Sequence, residues 1–279
     1  MKKYLKTIFF FVIELCGINI LFRYINRGRI KVLMFHSISQ PGQYFDNAIS
    51  EAGFAQQIDH LSKYYAVLKV TQEGEFSGYD PKRVNVLLSF DDGFKDNFIT
   101  AAPILAKSGL SGVFFVIGEC LQNGSTPSFI KARLGQLPIN EVYGTFSAKN
   151  ACEMVVMGMT IGSHGQNHLD YSKLPFEEGC KDAVDAKVNI EQKMGMPIAL
   201  FAFPWGRFHE RHLDELRRVY RRVFITRHGF NNLDDFVFYR NEIANTPHLW
   251  CAASGALDFF IGLFKPNADM ILNKFGKTE

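Results

Sequence analysis

Two aspartates stand side by side at the end of an apolar run, where a pair of carboxylates could combine metal binding with proton transfer. Residues 84–90 have the aliphatic and β-branched composition of a buried strand. Asp91 and Asp92 follow this run directly and precede Gly93. An Asp-Gly pair is also a common turn sequence, so a turn explains part of the pattern. The second carboxylate indicates a catalytic role, because one aspartate could hold a cation while its neighbour takes a proton from water.

Two histidines follow a second apolar run, residues 159–163, which is predicted to be a short strand. His164 and His168 are spaced i and i+4, which would place both imidazoles on one face of a helical turn, where they could share a metal ion. A lone histidine pair with this spacing often arises by chance. One carboxylate and two imidazoles, however, make a three-ligand set that leaves positions open for water and substrate. The other aspartate would then be free to act as a base.

An aromatic turn sequence, FPWG, ends a third predicted strand at residues 198–203. Its proline and glycine, Pro204 and Gly206, favour a tight turn. Trp205 could offer an aromatic wall to a sugar ring, and its backbone N–H could donate a hydrogen bond to an oxyanion. A buried tryptophan beside a turn explains the same residue equally well.

Short apolar runs alternate with longer helical patterns from residue 29 onwards. The predicted strands are residues 30–36, 84–90, 112–117, 159–163, 198–203 and 222–226. The predicted helices are residues 54–65, 98–108, 147–158, 176–194, 209–220 and 258–273. This order predicts an α/β fold with a parallel sheet, and the number of units favours a (β/α) barrel over an open sheet. Reactive residues of such barrels lie where strands end, which is where all three sequences above fall.

The composition is that of a folded protein with reduced cysteines. Of 279 residues, 47% are hydrophobic and 21% charged, which excludes a disordered chain. The net charge is only +3, and the basic residues lack the aromatic interleaving of a nucleic-acid surface, so we predict no nucleic-acid partner. Five cysteines, an odd number without a CxxC pair, argue against a disulfide framework and against a thiolate zinc site.

The N-terminal segment is apolar and flanked by basic residues. Residues 7–22 are interrupted by Glu14 and Asn19 and are shorter than the roughly 20 residues of a membrane span. No Ala-x-Ala-like site for signal cleavage follows. We therefore expect an uncleaved anchor or an interfacial helix, and hence a membrane-associated protein, with a packed amphipathic helix as the alternative.

Three parts of the chain follow from these patterns. Residues 1–28 form the apolar N-terminal segment, residues 29–250 the barrel, and residues 251–279 a C-terminal helix and tail. Residues 118–146 are punctuated by Gly, Pro and Asn and have no sustained period, which indicates a loop or subdomain inserted in the barrel, over the site.

The sequences SFDDG, SHGQNH and FPWG, in this order and at these intervals, resemble the polysaccharide deacetylases of carbohydrate esterase family four. The resemblance covers residues 30–245. It implies a distorted (β/α) barrel with one metal ion, commonly zinc, held by Asp92, His164 and His168, and with Asp91 as general base. It also implies hydrolysis of N-acetyl, sometimes O-acetyl, groups. We therefore expect a metal-dependent hydrolase that removes an acyl group, most simply acetyl, from an amino sugar of a cell-envelope polysaccharide or lipid-linked glycan.

Two departures from the family pattern concern the FPWG region. The arginine that usually tethers the base is replaced by Ala202, and Arg240, after a later strand-like run, is a candidate substitute. The usual tyrosine is Trp205. We expect substrate contacts from Pro204, Trp205, Gly206 and Arg240.

The general acid is a third departure. Most family members carry a late Leu-x-His that supplies the proton, and this chain has no clear copy. His248 is the candidate by position and His228 the second choice, although surface or capping histidines explain both. His36, at the end of the first predicted strand, is expected either to line the site or to be a core histidine.

Two other functions use the same residues. A two-histidine, one-carboxylate site is also the geometry of non-haem iron oxygenases, which need no base such as Asp91. A non-catalytic carbohydrate-binding relative would keep the fold and lose the chemistry, and the missing arginine and acid favour it. The leading hypothesis expects an N-acylated glycan as partner, and the sequence leaves the oligomeric state open.

Overall fold

The computed structural model describes residues 2–38, 48–134, 144–243 and 246–264. Ten β-strands lie in this part of the chain: β1 (Ile30–Phe35), β2 (Ala66–Val67), β3 (Lys69–Val70), β4 (Phe76–Ser77), β5 (Asn85–Phe90), β6 (Val113–Val116), β7 (Thr160–Ser163), β8 (Leu200–Ala202), β9 (Arg222–Thr226) and β10 (Val237–Glu242). Ten α-helices lie in the same part: α1 (Lys2–Leu15), α2 (Ile18–Ile25), α3 (Glu51–Tyr64), α4 (Ala102–Lys107), α5 (Ser128–Leu134), α6 (Ala148–Val156), α7 (Phe176–Met194), α8 (Arg211–Leu216), α9 (Thr246–Ser254) and α10 (Ala256–Phe264).

Seven parallel strands close into a barrel in the order β1-β10-β9-β8-β7-β6-β5, and β1 pairs with β5 to complete the ring. At this closure Val32 of β1 stands opposite Leu87 of β5 on one side and Arg240 of β10 on the other. The short β2 also pairs with β5, while β3 and β4 form a separate antiparallel pair. The predicted (β/α) barrel is confirmed.

Alternate side chains of the barrel strands point into the ring and out toward the helices. In β1, Val32 belongs to an apolar cluster inside the ring with Phe115 and Phe224, whereas Leu33 belongs to the larger cluster formed with the helices. Every residue of β1 and of β5 is buried. Burial on both faces explains why these strands are continuous apolar runs and are recognisable in the sequence.

Capping residues and glycines set helix ends that the sequence predicts. Ser147 caps α6 by accepting a hydrogen bond from the backbone N–H of Asn150, whose side-chain Oδ1 accepts one from the backbone N–H of Ser147. The long helix α7 has its predicted bounds and ends at Gly195, which is left-handed at φ 68°. The predicted helix over residues 98–108 instead begins as a π-helical turn, Asn97–Ala101, before α4.

The predicted start of the C-terminal helix, at residue 258, is wrong. One helix was expected over residues 258–273, but the chain forms α9 and α10 with Gly255 (φ 89°) between them. The first of these was missed because its sequence, TPHLWCAAS, is buried over most of its length and lacks an alternation of polar and apolar faces. The expected boundary between residues 250 and 251 falls inside α9. Residues 265–273 lie outside the described residues.

The two N-terminal helices pack against the rest of the fold. The chain turns between α1 and α2 at Gly17, which has φ 69°. Phe10 and Ile13 of α1 are buried in the large apolar cluster. Asn19 of α2 is buried too, and its Oδ1 accepts a hydrogen bond from Ser254 Oγ of α9 at 2.8 Å. The N-terminal segment is thereby attached to the C-terminal helices.

Candidate active site

A cavity of about 250 Å³ lies at the carboxyl ends of the barrel strands. Parallel strands end at one edge of the barrel, which is why residues far apart in sequence converge there. The lining residues are Met34, His36, Asp91, Asp92, Phe94, Phe129, His164, His168, Trp205, Gly206, Thr226 and Glu242. All three sequences singled out above therefore contribute to one cavity.

The three residues predicted to be metal ligands come together. Asp92 Oδ1 lies 3.1 Å from His168 Nε2 and 3.5 Å from His164 Nε2. One ligand atom from each residue lies within 4.8 Å of the other two. All three side chains are buried. This cluster, Asp92, His164 and His168, has the donor chemistry of a divalent cation site.

Hydrogen bonding and burial prepare His164 to act as a ligand. Its Nδ1 lies 2.8 Å from the carbonyl oxygen of Ala202. Because a carbonyl only accepts, Nδ1 carries the proton and Nε2 presents its lone pair toward Asp92. Burial lowers the pKa of His164 to about 4, which keeps the imidazole neutral at neutral pH. Ala202 thus serves the site through its backbone carbonyl.

The segment that carries His168 is a loop, and the predicted helical turn is wrong. Gly165 and His168 have left-handed backbones, with φ 76° and 54°, which an α-helix does not contain. The Asp182 carboxylate of α7 holds the loop by accepting hydrogen bonds from two successive backbone N–H groups, at 2.9 and 3.2 Å. Tyr171 OH donates to the same carboxylate at 2.8 Å. Sequence reasoning missed Asp182, whose one signal was an acidic residue on the apolar face of a predicted helix.

Unusual backbone conformations are concentrated in this cavity. Among the described residues, three that are not glycine have a positive φ, namely Asp92 (69°), His168 (54°) and Trp205 (61°). Such conformations cost on the order of 1–3 kcal/mol each, so the surrounding contacts must hold them. All three residues line the cavity. Their clustering indicates a functional site independently of the residue types.

Arg240 binds Asp91 through two charge-assisted hydrogen bonds. Its Nη1 lies 2.6 Å from Asp91 Oδ1, and its Nη2 lies 2.9 Å from Asp91 Oδ2. The predicted contact between Arg240 and the base is therefore present. Arg240 is only 1% exposed and is not among the residues that line the cavity, so the structure does not support the expected contact between Arg240 and substrate.

The surroundings of Asp91 keep it ionised. Burial by itself raises the pKa of this carboxyl, but the charge of Arg240 outweighs burial and lowers the pKa below its usual value. Asp91 Oδ2 lies 3.8 Å from His164 Nε2. A carboxylate that is oriented, charged and next to a metal-ligand cluster is placed to accept a proton from water.

Two aromatic rings cover the cluster. Trp205 is half exposed, and its ring centroid lies 4.9 Å from that of His168. Phe129 stacks on the ring of His168, with the two ring centroids 4.0 Å apart and an interplanar angle of 20°. Phe129 lies on α5, within residues 118–146, and lines the cavity, while residues 135–143 lie outside the described residues. Sequence reasoning did not identify Phe129.

The other residues of the FPWG turn have structural roles. Pro204 is buried and does not line the cavity, so the substrate contact expected from it is not supported. Gly206 lines the cavity with φ 64°, and a Cβ at this position would lie 2.8 Å from the side chain of Thr226. A glycine is thus required there by both conformation and space.

His36 lines the cavity, in agreement with one of its two predicted placements. Its side chain is 22% exposed, and its Nδ1 lies 3.9 Å from Glu242 Oε1. Among the described lining residues, His36 is the one imidazole besides the two of the metal-ligand cluster.

Neither histidine first considered as the acid lies in the cavity. The ring of His248 on α9 lies 5.4 Å from the ring of Phe10, on the side of the barrel. His228 is 45% exposed, and its Nδ1 lies 2.6 Å from Asn241 Nδ2. The structure does not place His248 or His228 where a leaving group would be, so we assign neither a catalytic role.

A family model described as polysaccharide deacetylase matches residues 78–223, which is just over half of the chain. The curated "Putative polysaccharide deacetylase YxkH" of Bacillus subtilis (strain 168) is 24% identical over 239 residues, which cover 82% of this chain and 76% of the relative. The residues that the family model matches include the two aspartates, the two histidines and the FPWG turn.

Solved structures share the fold. The structure of IcaB from Ammonifex degensii superposes with a TM-score of 0.64 at 24% identity, covering 82% of this chain and 96% of that one. The Streptococcus pyogenes deacetylase PplD, in complex with acetate, superposes with a TM-score of 0.61 at 20% identity, covering 77% of this chain and 92% of that one.

Proposed function

Because the chain belongs to the polysaccharide deacetylase family, we propose that it is a metal-dependent hydrolase that removes the N-acetyl group from an amino sugar of a cell-envelope polysaccharide or lipid-linked glycan. One arrangement carries this proposal: an ionised Asp91, held by Arg240, beside the buried metal-ligand cluster. A hydrolase needs this neighbouring base, whereas an iron oxygenase does not. The acetate bound by the S. pyogenes deacetylase is the expected second product of such a reaction.

The donor set fits a zinc ion. Ligands about 2.1 Å from a tetrahedral zinc stand roughly 3.4 Å from one another, and the Asp92 oxygen lies 3.1 and 3.5 Å from the two imidazole nitrogens. Burial raises the pKa of Asp92, but the hydrogen bond and the charge of His168 lower it well below its usual value, so a carboxylate is present. A cation held there would supply Lewis acidity and make a water molecule more acidic.

The protein's own groups account for the movement of protons. Asp91 accepts a proton from the attacking water, whose oxygen forms a bond to the carbonyl carbon of the acetyl group. The Trp205 backbone N–H is the proposed donor to the oxyanion that develops. The carbon–nitrogen bond then breaks, and the amine nitrogen must receive a proton to leave as the free amino sugar. Acetate is the other product.

We assign this second proton transfer to His36. It lines the cavity that holds Asp91, and its Nδ1 lies 3.9 Å from Glu242 Oε1. We expect His36→Gln to lower kcat for acetate release from an N-acetylated glycan by about 10²-fold. An aryl acetate such as 4-nitrophenyl acetate has a leaving group that needs no proton, so its hydrolysis should fall far less. Steady-state kinetics on both substrates measures the difference.

The matched controls are His228→Gln and His248→Gln, which replace imidazoles outside the cavity and should leave kcat unchanged. A large loss in His248→Gln, or equal losses in His36→Gln on the amide and the aryl ester, would contradict the assignment. Metal content should be the same in all three variants.

The decisive test of the function combines metal analysis with product detection. We expect the purified full chain to contain one zinc ion and to release acetate from one or more glycans in a panel of N-acetylated oligosaccharides and peptidoglycan fragments. Treatment with a chelator should abolish release, and added zinc should restore it. Asp92→Ala should lose both metal and activity, whereas Asp185→Ala, a change on an exposed face, should lose neither.

Two outcomes would favour the other functions. Glycan binding without acetate release by the zinc-loaded protein would identify a non-catalytic relative. Oxygen consumption with iron and a keto acid would identify an oxygenase.

A further inference from the structure

Three helices expose much apolar surface on the side of the barrel. Of the eighteen large apolar side chains that are exposed in the described residues, ten lie on α1, α2 and α10. Phe11, Leu15, Leu21 and Tyr24 are each at least half exposed, and Phe259 continues the surface on α10. We call these exposed residues of the three helices the apolar face. A concentration of this kind marks an interaction surface, because single exposed apolar residues are normally scattered.

Ring contacts make the apolar face continuous. The ring centroids of Phe9 and Phe260 are 5.3 Å apart, which joins α1 to α10. Those of Phe22 and Phe259 are also 5.3 Å apart, which joins α2 to α10. The three helices therefore present one surface.

The inner sides of the same helices are fixed to the fold. Phe10 and Ile13 are buried, and Asn19 is bonded to Ser254. Glu14, the one acidic residue among the first 45, accepts a hydrogen bond from the buried Asn19. The apolar face therefore remains exposed after the inner sides of the helices have packed. Glu14 is hydrogen-bonded to a residue on the inner side.

Basic residues predominate in the sequence that carries α1 and α2. The first 30 residues contain six basic residues and one acidic residue. Three lysines precede the apolar part of α1, and Arg27 and Arg29 follow α2. Arg23, inside α2, lies over the rings of Tyr64 and Tyr65. Basic residues at both ends of an apolar helical surface suit contact with anionic headgroups. Two copies of this chain would instead bring like charges together, which disfavours self-association through this face.

The helices do not have the geometry of a straight membrane span. In the part of the chain that the structure describes, no single helix is long and apolar enough to cross a bilayer. Ile8–Leu15 and Ile18–Ile25 satisfy the length and composition together, but they are bent by 72°. Straightening them would remove the contacts of Phe10 and Asn19 with the fold.

We propose that the apolar face docks the folded protein onto one leaflet of an anionic lipid bilayer. The exposed side chains of α1, α2 and α10 enter the boundary between headgroups and acyl chains, while the flanking lysines and arginines bind lipid phosphates. This inference assumes nothing about the reaction. Vesicle binding is measured without substrate, so a failure to bind vesicles would not contradict the proposed function. A failure to release acetate would likewise not contradict the membrane proposal.

Vesicle co-sedimentation tests the proposal. We expect the full chain to bind vesicles of mixed phosphatidylglycerol and phosphatidylcholine, and to bind them more weakly as salt is raised or when phosphatidylcholine is used alone. The variant Phe11→Ser/Leu15→Ser/Leu21→Ser should bind at least about tenfold more weakly, because three large apolar side chains no longer leave water. The matched control Val156→Ser/Val184→Ser/Val188→Ser changes exposed valines on α6 and α7 and should bind like the unmodified chain. Thermal unfolding should be alike in both triple variants.

Three results would overturn the proposal. The first is equal vesicle binding by the two triple variants, or no binding by the unmodified chain. The second is lipid-free dimerisation, seen by light scattering and lost in the first triple variant, which would make a second copy the occupant. The third concerns topology: with Lys3→Cys in a Cys16→Ser/Cys152→Ser/Cys180→Ser background, a membrane-impermeant maleimide added outside should label the vesicle-bound protein fully. Protection of that position would indicate a span.

Discussion

Asp91→Asn is expected to lower kcat for acetate release by about 10³- to 10⁴-fold while the bound metal is retained. The amide that replaces the carboxylate cannot accept a proton from water. The neighbouring carboxylate cannot take over, because Asp92 is committed to the metal-ligand cluster with His164 and His168. Steady-state kinetics and metal analysis on the same preparation measure both quantities.

The control for this prediction must separate lost chemistry from lost folding. Asp91→Asn leaves the guanidinium of Arg240 buried and without its charged partner, so the variant should also be less stable. The double variant Asp91→Asn/Arg240→Met removes the unpaired charge and should regain stability without regaining activity. An Asp91→Asn protein that is folded, metal-loaded and still within about tenfold of full activity would rule out Asp91 as the base.

Arg240→Met is expected to lower the free energy of unfolding by about 3–5 kcal/mol. Methionine fills a similar length, but it leaves Asp91, which is 3% exposed, as a buried carboxylate without a counter-charge. Urea denaturation of the metal-free protein measures this loss without a contribution from bound metal. Activity of the metal-loaded variant should fall too, since the two hydrogen bonds that orient Asp91 are gone.

A double-mutant cycle identifies the cause. If the buried charge is responsible, the losses in Asp91→Asn and Arg240→Met should add up to far more than the loss in the double variant. The matched control is Arg218→Met, whose partner Glu215 is on the surface, and it should change stability by no more than about 1 kcal/mol. Unchanged activity in Arg240→Met would contradict the hypothesis that Arg240 holds Asp91 in its catalytic position.

Most of the strands and site residues that could be predicted were recognisable from local sequence patterns. The barrel strands are buried on both faces, so each appears in the sequence as an apolar run, and the reactive residues follow those runs directly. Asp92, His164 and His168 were identifiable because ligand chemistry depends on residue type. The conformation of the His168 loop was not, because it depends on hydrogen bonds that its backbone donates to Asp182, which lies on another element.

Whether Phe129, His248 and His36 reach the cavity depends on how elements far apart in the sequence pack together. Phe129 reaches the cavity only because the insert folds back over His168. His248 seemed suitable by its position in the sequence, but α9 carries it to the side of the barrel, against Phe10. His36 had no distinctive spacing, and only its place at the end of β1 puts it in the cavity.

The sequence by itself determined the barrel, the ligand types and the presence of a base beside them, because these depend on periodicity and on the chemistry of single side chains. Only the tertiary structure decided which arginine holds that base and which imidazole shares its cavity. Arg240 lies 149 positions from Asp91 in the chain. The two meet because β10 and β5 both pair with β1 where the ring closes, and no local spacing encodes that closure.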